Sequence, residues 1–276
     1  MTWSMYKFLT VVILCGVAVV IALAVAQRQP VIPEAAPPVD YIPAINPADF
    51  TADITNPYFS LPVGKKLVYE AQTDEGRERI EILVPGWIRN VAGVQTLVFW
   101  DRVYLEGTLI EDTRDYVAQH KETGDVWYFG EHVDNYEDGV LKDHEGAWLA
   151  GVDGAQPGIW FSGNPRPGLE YRQEYYAGVA EDAARVESES ETVNVPAGTF
   201  TDCVKVFEFS PLFTATAHKY HCREVGGTAL EVDLPDLPTR PEEVRTELIE
   251  VDLDDAVGVE VPVAYQQEGV LADSSR

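Results

Sequence analysis

Cysteine, histidine and basic side chains are all scarce in this chain. Among its 276 residues are three cysteines, five histidines and two methionines, and 20 lysines and arginines stand against 46 aspartates and glutamates. The formal charge of −26 repels phosphate backbones and anionic headgroups, which excludes nucleic acid as a partner. Cations, cationic partners or a saline exterior suit such a surface, and dense carboxylates also simply keep an exposed domain soluble. Motifs of familiar catalysis are missing too. There is no Gly-x-Ser-x-Gly elbow, no His-Glu-x-x-His helix, no phosphate-cradling glycine loop and no dinucleotide fingerprint. Helical spacing of apolar residues is absent after residue 30.

Long uncharged runs are also lacking, with one exception. Phe8 to Ala26 is a 19-residue stretch without a charge. Signal-peptide cores run to ~7–15 residues and bilayer spans to ~17–25, so 1–26 reads as a signal peptide or a membrane anchor. Ala24-Val25-Ala26 offers the small residues that a leader peptidase takes before Gln27. Residues 27–50 form a Pro/Ala-rich linker, 51–252 a β-rich domain and 253–276 an acidic, flexible tail. The expected location is extracytoplasmic, secreted or held at the cytoplasmic membrane by the N-terminal segment. In that compartment Cys203 and Cys222, the only pair outside the leader, are expected to form a disulfide. The competing reading is a metal site shared by His218 and Cys222, which lie on one face of a strand.

Turn residues at Asp74-Glu75-Gly76, Glu106-Gly107, Glu137-Asp138-Gly139, Asp153-Gly154 and Pro196-Ala197-Gly198 separate segments of strand composition. These are 66–72, 77–84, 94–105, 108–119, 125–129, 169–175, 183–195, 203–209, 215–223, 228–232 and 244–251. The expected fold is all-β or mainly β, an antiparallel curved sheet or barrel-like meander after an N-terminal apolar helix.

The Glu106-Gly107 turn predicts a register. A two-residue loop pairs Tyr104 with Leu109, Val103 with Ile110, Arg102 with Glu111 and Asp101 with Asp112. The last pair sets two carboxylates on one face, to be relieved by a cation, a shared proton or Arg114. With Glu131 they would offer calcium its hard oxygen ligands. The same pair is the basis of an alternative reading as a secreted hydrolase, since retaining glycosidases place their carboxyls ~5–5.5 Å apart. Trp127-Tyr128-Phe129, Trp148, Trp160-Phe161 and Tyr171 to Tyr176 are dense enough to line a groove as well as to fill a core.

Taken in order, Asn56-Pro57-Tyr58-Phe59-x-Leu61, Asp125-Val126-Trp127-Tyr128-Phe129-Gly130-Glu131, Gly151-Val152-Asp153-Gly154-Ala155-x-Pro157-Gly158, Val195-Pro196-Ala197-Gly198-Thr199-Phe200-x-x-Cys203 and His218-Lys219-Tyr220 resemble a family of uncharacterised exported or lipid-anchored bacterial proteins. The resemblance covers about residues 56–232 and implies export and a single domain, with no activity to carry over. It lapses after Tyr220, where the family continues with Pro-Gly-Val-Gly and this chain has His221-Cys222-Arg223-Glu224. The function expected is that of a noncatalytic envelope protein binding an apolar ligand, a cation or a partner protein.

Overall fold

The computed structural model describes residues 41–236 and 242–252; the expected signal or anchor segment, most of the expected linker and the expected acidic tail lie outside them. The described chain is almost wholly β and forms one large antiparallel sheet. Its long strands follow one another as a meander: Lys66–Gln72, Arg77–Leu83, Val94–Leu105, Thr108–His120, Val126–Glu137 and Gln156–Phe161, then Ala183–Val195, Gly198–Phe209, Thr216–Cys222, Gly227–Asp233 and Val244–Asp252. The last strand pairs with the first, with Thr246 opposite Ala71 and Asp252 opposite Lys66, and the sheet bends into a nearly closed barrel.

The remaining seam is bridged by a split strand. Glu170–Arg172 pairs with Ala183–Val195, and Glu174–Tyr175 pairs with Gln156–Phe161. Gln173, between the halves, comes so close to Gly158 that a Cβ there would sit 2.3 Å from the Gln173 carbonyl. Only glycine allows that approach.

Glu106 and Gly107 both have positive φ, 48° and 80°, as the two-residue hairpin turn requires. Leu105 faces Thr108 and Tyr104 faces Leu109, as expected. Ile110 is then skipped as a bulge: Val103 faces Glu111, Arg102 faces Asp112 and Asp101 faces Thr113. The predicted Asp101–Asp112 pairing is therefore wrong by one residue, and a one-residue shift sends a side chain to the other face. The bulge separates two carboxylates that would otherwise repel.

The packed domain also begins earlier than residue 51. Phe50 is buried, with its ring edge-on to Trp127 and Phe129, and its strand Phe50–Thr51 pairs with Gln119 and His120. The disulfide Cys203–Cys222 is present and joins adjacent strands, which leaves Cys222 no free thiolate for a site with His218. His218 instead lies 3.1 Å from Glu187. No helix among the described residues is long and apolar enough to cross a membrane.

Candidate functional site in the barrel interior

The inward-facing residues divide the barrel into an aromatic part and an acidic part. Phe59, on the short Phe59–Ser60 strand, packs on Trp160 at 5.2 Å between ring centroids and on Phe99 at 6.1 Å. Lys65 fixes this segment from below. Its Nζ donates at 2.8 Å to each of the carbonyls of Ser60, Val225 and Gly226, and burial pulls its pKa down to about 8.

Between these rings and the strands Lys66–Gln72, Arg77–Leu83, Thr216–Cys222 and Gly227–Asp233 lies a cavity of about 60 Å³. Leu67, Ile80, Ile82, Tyr69, Phe99 and Trp160 form its apolar and aromatic walls, and Asp101, Lys219, Glu231 and His221 its polar side. The volume decides what fits. A dry cavity of ~150 Å³ admits benzene, while a water needs ~10–15 Å³ measured this way, so this space takes a group of a few heavy atoms.

Lys219 is the one cation on this polar side among the described residues, 2.8 Å from Glu208 and 3.8 Å from Glu231. Burial opposes its charge, but Glu208 and Glu231 outweigh that and raise its pKa. Burial likewise opposes the charge of Glu208, and Lys219 with the 2.8 Å hydrogen bond from Gln173 Nε2 turns the balance, holding that carboxyl below its usual range. His221, packed on Phe161 at 4.4 Å, is pushed down to about 3 by burial and is neutral.

Asp101 differs from all of these. It is 1% exposed, lines the cavity, and neither of its oxygens accepts a hydrogen bond from any described residue. Burial first, and then the neighbouring acids Asp115, Glu111 and Glu78, raise its pKa well above the carboxylate range. Further inside, Thr113 donates to Glu111 at 2.7 Å and Tyr128 donates to Asp115 at 2.6 Å. Despite those bonds, burial lifts Glu111 to about 8 and Asp115 to about 7. Glu131, opposite Asp115, is raised as well, by burial and then by Asp115.

The calcium set Asp101, Asp112 and Glu131 is not assembled. Asp101 and Glu131 look into the barrel, whereas Asp112 is on the other face, where Trp100 Nε1 donates to it at 2.8 Å and Arg114 at 3.2 Å. Among the described residues no group of three or more His, Cys, Asp or Glu side chains is disposed to hold a metal ion. The hydrolase reading loses its carboxylate pair by the same shift. Asp115 and Glu131 do face each other, buried at 0% and 2% exposure, but neither lines the cavity.

Reading the sequence missed Lys219, Glu208, Glu231 and Tyr69. One signal was present: Ala229, Glu231 and Asp233 alternate with Leu230 and Val232, which permits acids on the inward face, although alternation alone does not say which face is inward. Comparisons of this chain with family models, with curated proteins and with solved structures find no match.

Proposed function

We propose that this is a noncatalytic, extracytoplasmic binding protein that takes a small ligand, or the head of a larger one, into the barrel interior. The observation that carries the reading is Asp101: a buried carboxyl with two oxygens unpartnered among the described residues, facing a cavity whose opposite walls are aromatic and aliphatic and whose polar side also holds Lys219, Glu231 and His221. Leaving a buried polar group unpaired costs ~1–3 kcal/mol, and a ligand that supplied its partner would recover that cost. The extracytoplasmic part of the proposal is supported by the uncharged Phe8–Ala26 run and by the disulfide, a bond of oxidising compartments.

Short probes test the reading: 1-butanol, butylammonium and butyrate, each titrated into the full-length chain with Trp160 fluorescence and melting temperature as readouts. A ligand of the folded state stabilises it by ~2.7 kcal/mol at a hundred times its Kd, and so raises the melting temperature with concentration. Binding of any of them that is lost when Trp160 is replaced by Ala supports an interior site. A flat response to all three refutes it.

A further inference from the structure

The charges around the cavity specify the ligand more closely. Resting on the reading that the interior binds a ligand, we infer that the group it receives is an organic ammonium ion, held between the Asp101 carboxylate and the rings of Phe59, Phe99, Tyr69 and Trp160.

Three alternatives are weaker on the same observations. A metal ion needs several converging oxygens, ~6–8 for calcium, and the described side chains provide no such group. An anion would meet Lys219, but that ammonium is already taken by Glu208 at 2.8 Å and Glu231 at 3.8 Å, and Asp101 and Glu231 border the same space. A neutral alcohol satisfies one Asp101 oxygen but draws nothing from the rings beyond contact. An ammonium ion uses both features: it donates to the carboxylate and lies against aromatic faces, an attraction worth ~0.5–2 kcal/mol and strongest when desolvated.

The balance of buried charge points the same way. Asp101, Glu111, Asp115, Glu131 and Glu231 are all buried, and Lys219 is the cation near them. Lys65 is committed to three carbonyls, and Arg114 to Asp112 and Asp134 on the opposite face. Among the described residues the interior thus has more acids than cations, with Lys219 as the cation and the Thr113 and Tyr128 hydroxyls as neutral donors. On binding, Asp101 gives its proton to solvent and the ammonium replaces it.

Calorimetry on the full-length chain compares butylammonium and tetramethylammonium with 1-butanol, in buffers of different ionisation enthalpy. Butylammonium should bind at least ~10-fold tighter than 1-butanol, as a charge-assisted hydrogen bond and a ring contact together imply. Ammonium binding should release protons near pH 6, and alcohol binding none. Asp101→Asn should bring the ammonium-to-alcohol preference to near one and abolish proton release. Phe99→Leu, which keeps the fold's apolar volume, should weaken both ammonium ions ~3–10-fold, while Asp112→Asn, on the opposite face, should keep the preference. If 1-butanol binds as tightly as butylammonium, or if Asp101→Asn retains the preference, the ammonium assignment is overturned and interior binding stands. If none of the probes binds, the interior holds water only, and both readings fall.

Discussion

The two faces of one hairpin treat their carboxylates in opposite ways. On the face turned away from the barrel interior, Asp112 accepts from Trp100 and Arg114, and Arg114 also reaches Asp134 at 3.0 Å. Beside them His132, pushed down to about 4 by burial and then by Arg89, has its Nδ1 2.7 Å from the Arg89 guanidinium and 2.6 Å from the Tyr116 hydroxyl, to which Arg89 also donates. On the inner face of the same strands Asp101 has no hydrogen-bond partner among the described residues, and Glu111 and Asp115 have one hydroxyl each. Burial is similar, since Asp112 is 6% and Asp101 1% exposed. What separates the two groups is the supply of donors. Where guanidinium and indole groups are at hand the carboxyl is hydrogen-bonded and tied into the fold; where they are not, burial favours the protonated acid.

The largest effect expected from this contrast comes from removing the donor on the paired face. Arg114→Ala leaves Asp112 and Asp134 facing each other without their cation, and breaking a buried pair from one side costs ~3–5 kcal/mol. For a domain of this size the melting temperature should drop by roughly 10 °C, as read by circular dichroism. Survival of the full melting temperature would mean that Asp112 is served by other donors and that the two faces differ less than argued. Trp100→Phe is the milder probe of the same face. It removes one hydrogen bond to a carboxylate, worth ~1.5–3 kcal/mol, and should lower stability by less than Arg114→Ala does.

Much of this fold was readable from residue order, and the contrast between faces was not, for reasons that particular residues make plain. Lys66–Gln72, Val94–Leu105 and Ala183–Val195 have the expected bounds because Gly-containing turns and β-branched runs frame them. Gln156–Phe161 went unread because Pro157 and Gly158 carry turn chemistry; their place beside the seam, where the split strand comes close, explains why a strand tolerates both. Ile110 gave no warning of its bulge, since an apolar residue after Leu109 fits either register, and that single residue decided whether Asp101 met Asp112 or Thr113. The buried acids were hidden for a related reason. A strand polar on both faces does not say which face turns inward, so acids that line a cavity read the same as acids in water.

The smallest and most specific effect concerns Asp101 itself and turns on pH. In the unfolded chain an aspartate loses its proton near pH ~3.9, while in the fold burial and then Asp115, Glu111 and Glu78 hold the Asp101 proton to much higher pH. From about pH 4 upward the native state therefore binds more protons at this site than the unfolded state, and stability falls as pH rises. Glu111, raised to about 8, and Asp115, raised to about 7, act in the same direction, so the ligand-free protein should melt at a lower temperature at pH 8 than at pH 5. Asparagine has no proton to lose. Asp101→Asn should match the wild type near pH 4 and exceed it progressively toward pH 8. Asp112→Asn, which weakens a satisfied carboxylate, should be less stable than the wild type at neutral pH. Melting curves of the three proteins at pH 4, 6 and 8 decide the matter. Equal behaviour of the two variants would erase the distinction between the faces, and a loss of stability in Asp101→Asn that grew with pH would show that the inner carboxylate is charged and already paired.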